Sequence, residues 1–351
     1  MEFLHSNLPP VRQGGQTFID AFYELIANNY ALDIAVGYIT ADSLIELERL
    51  TELNGLQSVN LTIGMHYFER FTRTQYNAAM RLNEFLTSNG RGQVRLVTPF
   101  KYHGKLYSYS DNEGPAAGII GSNNLGSIVE NNSRVYESAV LIRERNAAAD
   151  MKSFIDRLVR DATDNIAELD IHEFNSSNTL LEEHERVQHV TAQRLAECIS
   201  SLTTTSFEIP IKGAEVSPRS NLNVFFGRGR VGRNGIVISR HWYEVEIIVP
   251  STVSTQAGYP RSNTPEDVFQ VITDDGWTFK CKVSGDYNKN FRSEGDLKIL
   301  GKWLKGRLEA AEVLDVGNPV TNETLAMYGR NTITFTKTTI PNTWYLDFGV
   351  H

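Results

Sequence analysis

Over its first half the chain alternates short apolar runs with stretches of helical spacing. Leu32 to Ile39 (LDIAVGYI) is nearly continuous in apolar character, as a strand covered on both faces is. Ala41-Asp42-Ser43 then opens SLIELERLTEL, whose leucines and isoleucines recur on one helical face. Val59 to Met65 predicts a second strand, and Tyr76 to Asn89 a second helix stopped by Gly90. Gln93 to Thr98, Lys105 to Tyr109, Ala117 to Gly121 and Glu137 to Ile142 read as further strands, and Met151 to Leu169 as a helix. This alternation predicts a mixed α/β sheet with helices on both faces.

The pattern then changes. From Ile171 the chain turns polar, and LLEEHERVQHVTAQRLAECI reads as one linker helix. Beyond about Thr203 come short β-type runs, FEIPI, NVFF, IVISRHWYEVEIIV, FQVIT, TFKCKV and ITFTKTTI, punctuated by Gly, Asn, Ser and Pro. A single helix, DLKILGKWLKGRLEAA, interrupts them. The expected organisation is an α/β front domain over 1–173, a helical acidic linker over 174–202, and a mainly-β pseudobarrel over 203–351 with long arms between strands.

Length and composition fit this division. The 351 residues suffice for two cores, with 41% hydrophobic and 22% charged residues as in soluble globular proteins. No apolar run approaches the ~20 residues of a membrane span, and the first residues lack a signal-type stretch, so a cytoplasmic location is expected. Cys198 and Cys281 are isolated, which points to structural thiols and not to zinc or a disulfide framework. The net charge of −8 argues against indiscriminate coating of nucleic acid. Between Glu215 and Glu244, however, no acidic residue occurs, while Arg219, Arg228, Arg230, Arg233 and Arg240 do. Such a local patch can hold phosphates, because attraction to a duplex is short-ranged in physiological salt.

The most informative stretch is Lys101-Tyr102-His103-Gly104-Lys105-Leu106-Tyr107. Strand alternation puts His103 and Lys105 on one face. Downstream, Ile119-Ile120-Gly121-Ser122-Asn123-Asn124-Leu125-Gly126 runs from a strand into a turn, and Val135-Tyr136-Glu137-Ser138-Ala139 opens another strand. Taken singly, His103 could be an ordinary strand histidine and the Gly-Ser-Asn-Asn segment an ordinary turn. Together and in this order, His-x-Lys, Gly-Ser-x-Asn and a later Glu resemble the active-site pattern of the phospholipase D superfamily. The resemblance implies a histidine that attacks phosphorus and carries it covalently. It implies Lys105, Ser122 and Asn124 as donors to the phosphoryl oxygens, and a carboxylate that orients the imidazole. It implies no metal cofactor.

Most members of that superfamily carry an Asp five residues after the Lys. Here that position is Ser110, with Asp111 one further, so the orienting carboxylate is assigned to Glu137. This arrangement is similar to the BfiI and NgoFVII group of restriction endonucleases, and the similarity extends over essentially the whole chain. In the superfamily two His-x-Lys motifs meet at one site, whereas this chain has one. His66 and His241 lack a Lys partner and read as structural, so a homodimer with a shared centre is implied.

The rear half resembles that group's plant B-three DNA-binding pseudobarrels, in which two arms grip the major groove of double-stranded DNA. Two segments suit that role. One carries Arg219, Asn221, Asn223, Arg228, Arg230, Arg233 and Asn234; the other carries Asp286, Asn288, Lys289, Asn290 and Arg292. Arg reads guanine, Asn reads adenine and Asp accepts from cytosine. The expected function is site-specific, metal-independent DNA cleavage. The alternatives are a non-specific nuclease or phosphodiesterase, and a DNA-binding regulator with a degenerate front domain. Some relatives work with a separate ATPase subunit, which would then be a further partner. The acidic stretch Asp164, Glu168, Asp170, Glu173, Glu182, Glu183 and Glu185 reads as a solvated connector or as a carboxylate plug for a phosphate cleft.

Overall fold

A computed structural model describes residues 1–350 except 13, 130–134, 176–179, 182, 183, 185, 232–236, 239, 263, 265 and 266. The chain divides into two compact units, Met1–Ser177 and Asn178–His351.

The front unit contains β1 (Glu2–His5), α1 (Phe18–Asn28), β2 (Ala31–Val36), α2 (Ala41–Leu53), β3 (Ser58–Ile63), α3 (His66–Glu69), β4 (Phe71–Thr72), α4 (Arg73–Ser88) and β5 (Val94–Val97). It continues with β6 (Lys105–Asp111), β7 (Gly114–Gly121), β8 (Ser138–Ile142), α5 (Arg145–Ala162), β9 (Thr163–Asn165) and β10 (Phe174–Asn175). One sheet runs in the order β1-β8-β7-β6-β2-β3-β5-β9. Its centre, β2, β3 and β5, is parallel, and the strands on either side join antiparallel. Threonines 17, 40 and 72 start α1, α2 and α4 with reciprocal capping boxes. Phe22 of α1 packs edge-on against Tyr107 and Tyr109, while Met151, Ile155 and Leu158 of α5 pack with Ala35 and Leu106. Neighbouring residues on a strand face opposite ways, so α1 and α5 cover opposite faces of the sheet. The front unit is thus the mixed α/β sheet that the alternating pattern predicts.

The predicted helix over 151–169 is shifted: α5 ends at Ala162, and β9 follows to close the sheet edge against β5. Among the described residues the predicted linker helix is confined to α6 (Ala192–Ser200). Phe174–Asn175 pairs with β4 in the front unit, whereas β11 (Gln188–His189) pairs with Trp277 and Thr278 in the rear unit. Leu181 and Val187 are buried and His184 contacts Asp296 at 3.1 Å, so this stretch finds rear-unit partners that outweigh its helix propensity.

The rear unit continues with β12 (Leu202–Pro210), β13 (Arg230–Val231), β14 (Val237–Ile238), β15 (Ile247–Ile248), α7 (Ser251–Ser254), β16 (Val268–Thr273), β17 (Trp277–Ser284) and β18 (Asn290–Ser293). Then come α8 (Lys298–Ala310), α9 (Asn322–Tyr328), β19 (Thr332–Thr338) and β20 (Thr343–Asp347). Its main sheet runs β12-β19-β20-β16-β17-β18-β15, curled around an aromatic core in which Phe335 stacks on Trp344 at 4.2 Å. Among its described residues, the long run IVISRHWYEVEIIV forms strand only at Val237–Ile238 and Ile247–Ile248. Trp242 and Tyr243 leave the sheet and donate hydrogen bonds to Glu309 of α8, at 2.9 and 2.8 Å. NVFF, expected as a strand, is a 3-10 turn at Val224–Phe226. Among the described residues, no helix is long and apolar enough to cross a membrane.

Candidate active site and DNA-reading arms

The catalytic motif lies where the carboxyl ends of parallel β2 and β3 meet the start of antiparallel β6, the kind of junction at which α/β sheets bind ligands. Two glycines make the junction possible. A Cβ on Gly37 would sit 3.1 Å from His103 Cδ2, and a Cβ on Gly64 would sit 2.0 Å from the Tyr102 carbonyl oxygen. The segment ahead of β6 therefore lies directly on the ends of β2 and β3, tied by the Tyr102 N–H donating to the Gly64 carbonyl at 3.0 Å.

His103 is exposed, and Lys105 is buried at 7% exposure. Lys105 Nζ lies 3.1 Å from His103 Nε2 and donates to the His103 carbonyl at 2.7 Å. An ammonium group can only donate, so this contact requires the Nε2 lone pair and fits a neutral imidazole. Burial lowers the Lys105 pKa, and the charge of Glu137 opposes that shift. Asn124 Oδ1 accepts from the Tyr38 peptide N–H at 3.0 Å, which fixes the amide's orientation and makes Nδ2 its donor end. Beneath this turn the buried Tyr107 hydroxyl donates to the Asn123 carbonyl at 2.9 Å.

The structure therefore brings together His103, Lys105, Asn124 and Glu137. Glu137 makes no hydrogen bond to His103 among the described residues; its charge acts on Lys105 and Tyr107. It precedes β8 in register with the face that carries Lys105. Ser122 is exposed, and its hydroxyl accepts from Ser138 N at 3.1 Å and donates to Ser138 O at 3.2 Å. It clips β7 to β8 and is not presented as a phosphate donor. Asp111 lies six residues beyond Lys105 on β6, roughly 20 Å along the strand, and pairs with Arg145. His66 is buried, with its ring nitrogens on the Ile39 N–H and the Arg70 carbonyl, so it holds backbone in place. The residue that sequence reasoning missed is Tyr38. Its only signal was its place just past Gly37, at the carboxyl end of a parallel strand.

In the rear unit the arm residues divide. Arg219, Arg228 and Arg230 are exposed, and Arg230 is paired with Glu244, which also holds Arg240. Asn221 and Asn223 are fully buried. Asn221 Oδ1 accepts from Ile248 N at 2.9 Å, and the Asn223 amide pairs both ways with the Val320 backbone at 2.9 and 2.8 Å. These two asparagines brace the arm and have no surface to read bases, which corrects the expectation for them. Asn288 Oδ1 is likewise occupied by Ser262, at 2.8 Å from both its N–H and its hydroxyl. Asp286 is exposed, Lys289 and Arg292 are half-buried, and the Asn290 side chain packs 3.0 Å from where a Gly285 Cβ would lie. Tyr287, at 72% exposure with φ +58°, is the tip of this second arm. Arg233 and Asn234 lie outside the described residues, as do Glu182, Glu183 and Glu185 of the acidic stretch.

The fold and the site define a phospholipase-D-type phosphodiesterase unit followed by a mainly-β DNA-binding unit. Residues 16–171 match the NgoFVII restriction endonuclease N-terminal PLD domain, and residues 197–339 match the NgoFVII C-terminal B3-like DNA-binding domain. The chain belongs to the NgoFVII family of restriction endonucleases. It is a nuclease-type enzyme with DNA as its partner. No curated protein matches its sequence significantly. Among solved structures it is similar to Nuc from Salmonella typhimurium, a phospholipase D family member, with 17% identity over 47% of this chain and 95% of that one, TM-score 0.34. It is also similar to NucT from Helicobacter pylori, with 15% identity over 46% of this chain and 98% of that one, TM-score 0.32. A phosphatidylserine synthase from Haemophilus influenzae shows 17% identity over 48% and 41% of the two chains, TM-score 0.36.

Proposed function

We propose that this protein cleaves DNA at a specific site through a covalent phosphohistidine, without a metal, in a centre shared by two copies of the chain. The observation that carries the reading is the contact of His103 Nε2 with Lys105 Nζ, in a chain that contains one such motif. In this reading Nε2 attacks phosphorus, and the bond from phosphorus to one bridging oxygen breaks. His103 of the second copy protonates the leaving oxygen. The same group then takes a proton from water as water attacks phosphorus and breaks the phosphorus–nitrogen bond. As Nε2 turns to phosphorus, Lys105 and Asn124 Nδ2 are placed to meet the charge developing on the non-bridging oxygens. The groups that neutralise phosphate are thus side chains, which is why hydrolysis in a chelator is the expected behaviour. Arg219, Arg228, Arg230 and the arm tipped by Tyr287 supply the groove contacts, some to phosphates and some to base edges.

The test is cleavage of plasmid DNA in excess EDTA, followed by quenching in alkaline denaturant. Cutting should persist, should give discrete fragments, and should trap DNA joined to the protein by an alkali-stable, acid-labile phosphorus–nitrogen bond. His103→Ala should abolish cutting and retain DNA affinity, because the arms lie in the other unit. Lys105→Ala and Asn124→Ala should each slow cutting about a hundredfold, the usual scale for losing one oxyanion donor. Cutting by the His103 variant at the normal rate removes the nucleophile assignment.

A further inference from the structure

Tyr38 touches two of the catalytic motifs, one through its peptide N–H and one through its ring. Its peptide N–H donates to Asn124 Oδ1 at 3.0 Å. Its ring lies 5.6 Å from the His103 ring at 81°, an edge-to-face contact. On the other side the ring meets His66 in a second edge contact, at 5.6 Å and 88°. His66 is itself stacked on the buried Phe71 at 4.6 Å and tied to backbone. The Tyr38 hydroxyl donates to Glu69 Oε2 at 2.7 Å, and Glu69 Oε1 accepts from Lys101 Nζ at 2.9 Å. Lys101 lies two residues before His103 in the chain. The tyrosine ring therefore lies between the backbone-tied His66 and the exposed His103, with its tip pinned to the segment that carries His103.

We propose that Tyr38 is a positioning residue that sets the imidazole plane of His103 and the amide plane of Asn124 toward the same phosphate. The inference rests on His103 being the nucleophile. The physical need is plain. His103 is exposed, among the described residues its ring shows one hydrogen bond, to Lys105, and that lysine must turn to phosphate during the reaction. An exposed imidazole rotates about two side-chain bonds, and attack requires the lone pair to be in line with the leaving oxygen. Among the described residues Glu137 makes no hydrogen bond to the ring, and the Tyr38 ring beside it is a contact that limits its rotation. The same residue's peptide sets Asn124, so a single backbone position controls the angle between nucleophile and oxyanion donor. The ring carries this function, and the hydroxyl only anchors the ring to Glu69.

The experiment compares Tyr38→Leu and Tyr38→Phe in single-turnover cleavage at saturating DNA, with DNA affinity measured in parallel. The leucine variant should cut ten- to a hundredfold more slowly with affinity unchanged within about twofold. The phenylalanine variant should recover the rate to within about threefold of the parent. In protein labelled with 15N-histidine, the His103 ring resonances should broaden or shift in the leucine variant and be restored by phenylalanine. A leucine variant that cuts at the parent rate overturns the proposal, and so does a phenylalanine variant as slow as leucine. A leucine variant that is unfolded at the assay temperature also counts against it, because Tyr38 would then be holding the fold. If His103→Ala itself still cuts, the nucleophile reading has failed and not the clamp.

Discussion

At the scale of single residues, the balance around Lys105 decides how the site responds to pH. The ammonium is buried, which lowers its pKa from the ordinary lysine range near 10.4, and Glu137 is the charge that opposes the shift. Cleavage needs the protonated form, so activity should decline on the alkaline side through a pKa below that of free lysine. Glu137→Gln removes the opposing charge. The alkaline limb of the single-turnover rate should then move further toward neutral pH, with little loss of rate at pH 6. If Glu137 held the imidazole instead, the same change would lower the rate at every pH and leave the alkaline limb where it was. A rate–pH profile from pH 5 to 10 distinguishes these outcomes. In the rear unit, residue type alone pointed equally to Arg219 and to Asn221 and Asn223, yet the asparagines are buried. Asparagine is favoured both for reading adenine and for satisfying bends in the backbone, and sequence does not separate the two uses.

At the scale of elements, the legible parts were those in which one residue period governs a whole segment. β2, α2, β3, β5 and the His-x-Lys strand β6 lie close to where apolar spacing puts them, because a buried sheet leaves little choice of period. The segments misread are those whose state depends on distant partners. The stretch from Leu180 to Ser200 carries helix-forming residues, but Gln188–His189 pairs with β17 and His184 contacts Asp296. Trp242 and Tyr243 have β propensity, but their polar tips turn toward Glu309. In the site, the chemistry-bearing types were legible and the backbone that seats them was not. Gly64 is the case in point. In sequence it is an isolated glycine inside a predicted strand, and in the structure the Tyr102 carbonyl occupies the space of its missing side chain. Gly64→Ala should force β3 and the segment ahead of β6 apart. The expected cost is about 1–3 kcal/mol in urea unfolding, the range for overpacking. His103 follows Tyr102 directly, so cleavage should fall by more than the lost stability accounts for once both proteins are assayed fully folded. A variant of normal rate and stability would mean that the seat is not tight.

At the scale of the whole molecule, the question is whether one chain or two make a cutting centre. The chain supplies a single nucleophile-and-lysine pair, while the proposed reaction needs a second group to protonate the leaving oxygen. Among the described residues, His66 is committed to backbone, and Asp111, roughly 20 Å along β6 from Lys105, pairs with Arg145, so neither is placed for that task. A second copy related by a twofold axis would bring a second His103 to the same phosphate. Subunit mixing tests this without any structural assumption. Parent protein and His103→Ala protein are unfolded together, refolded at varied ratios, and assayed at constant total protein. If each centre needs the histidine of both copies, only dimers of two parent chains cut. Activity then follows the square of the parent fraction, falling to about one quarter at an equal mixture. If each chain holds a complete centre, activity is linear in that fraction and falls to about one half. A linear curve, or a parent protein that sediments as a monomer under conditions where it cuts at full rate, would replace the shared centre with a second proton donor inside the same chain.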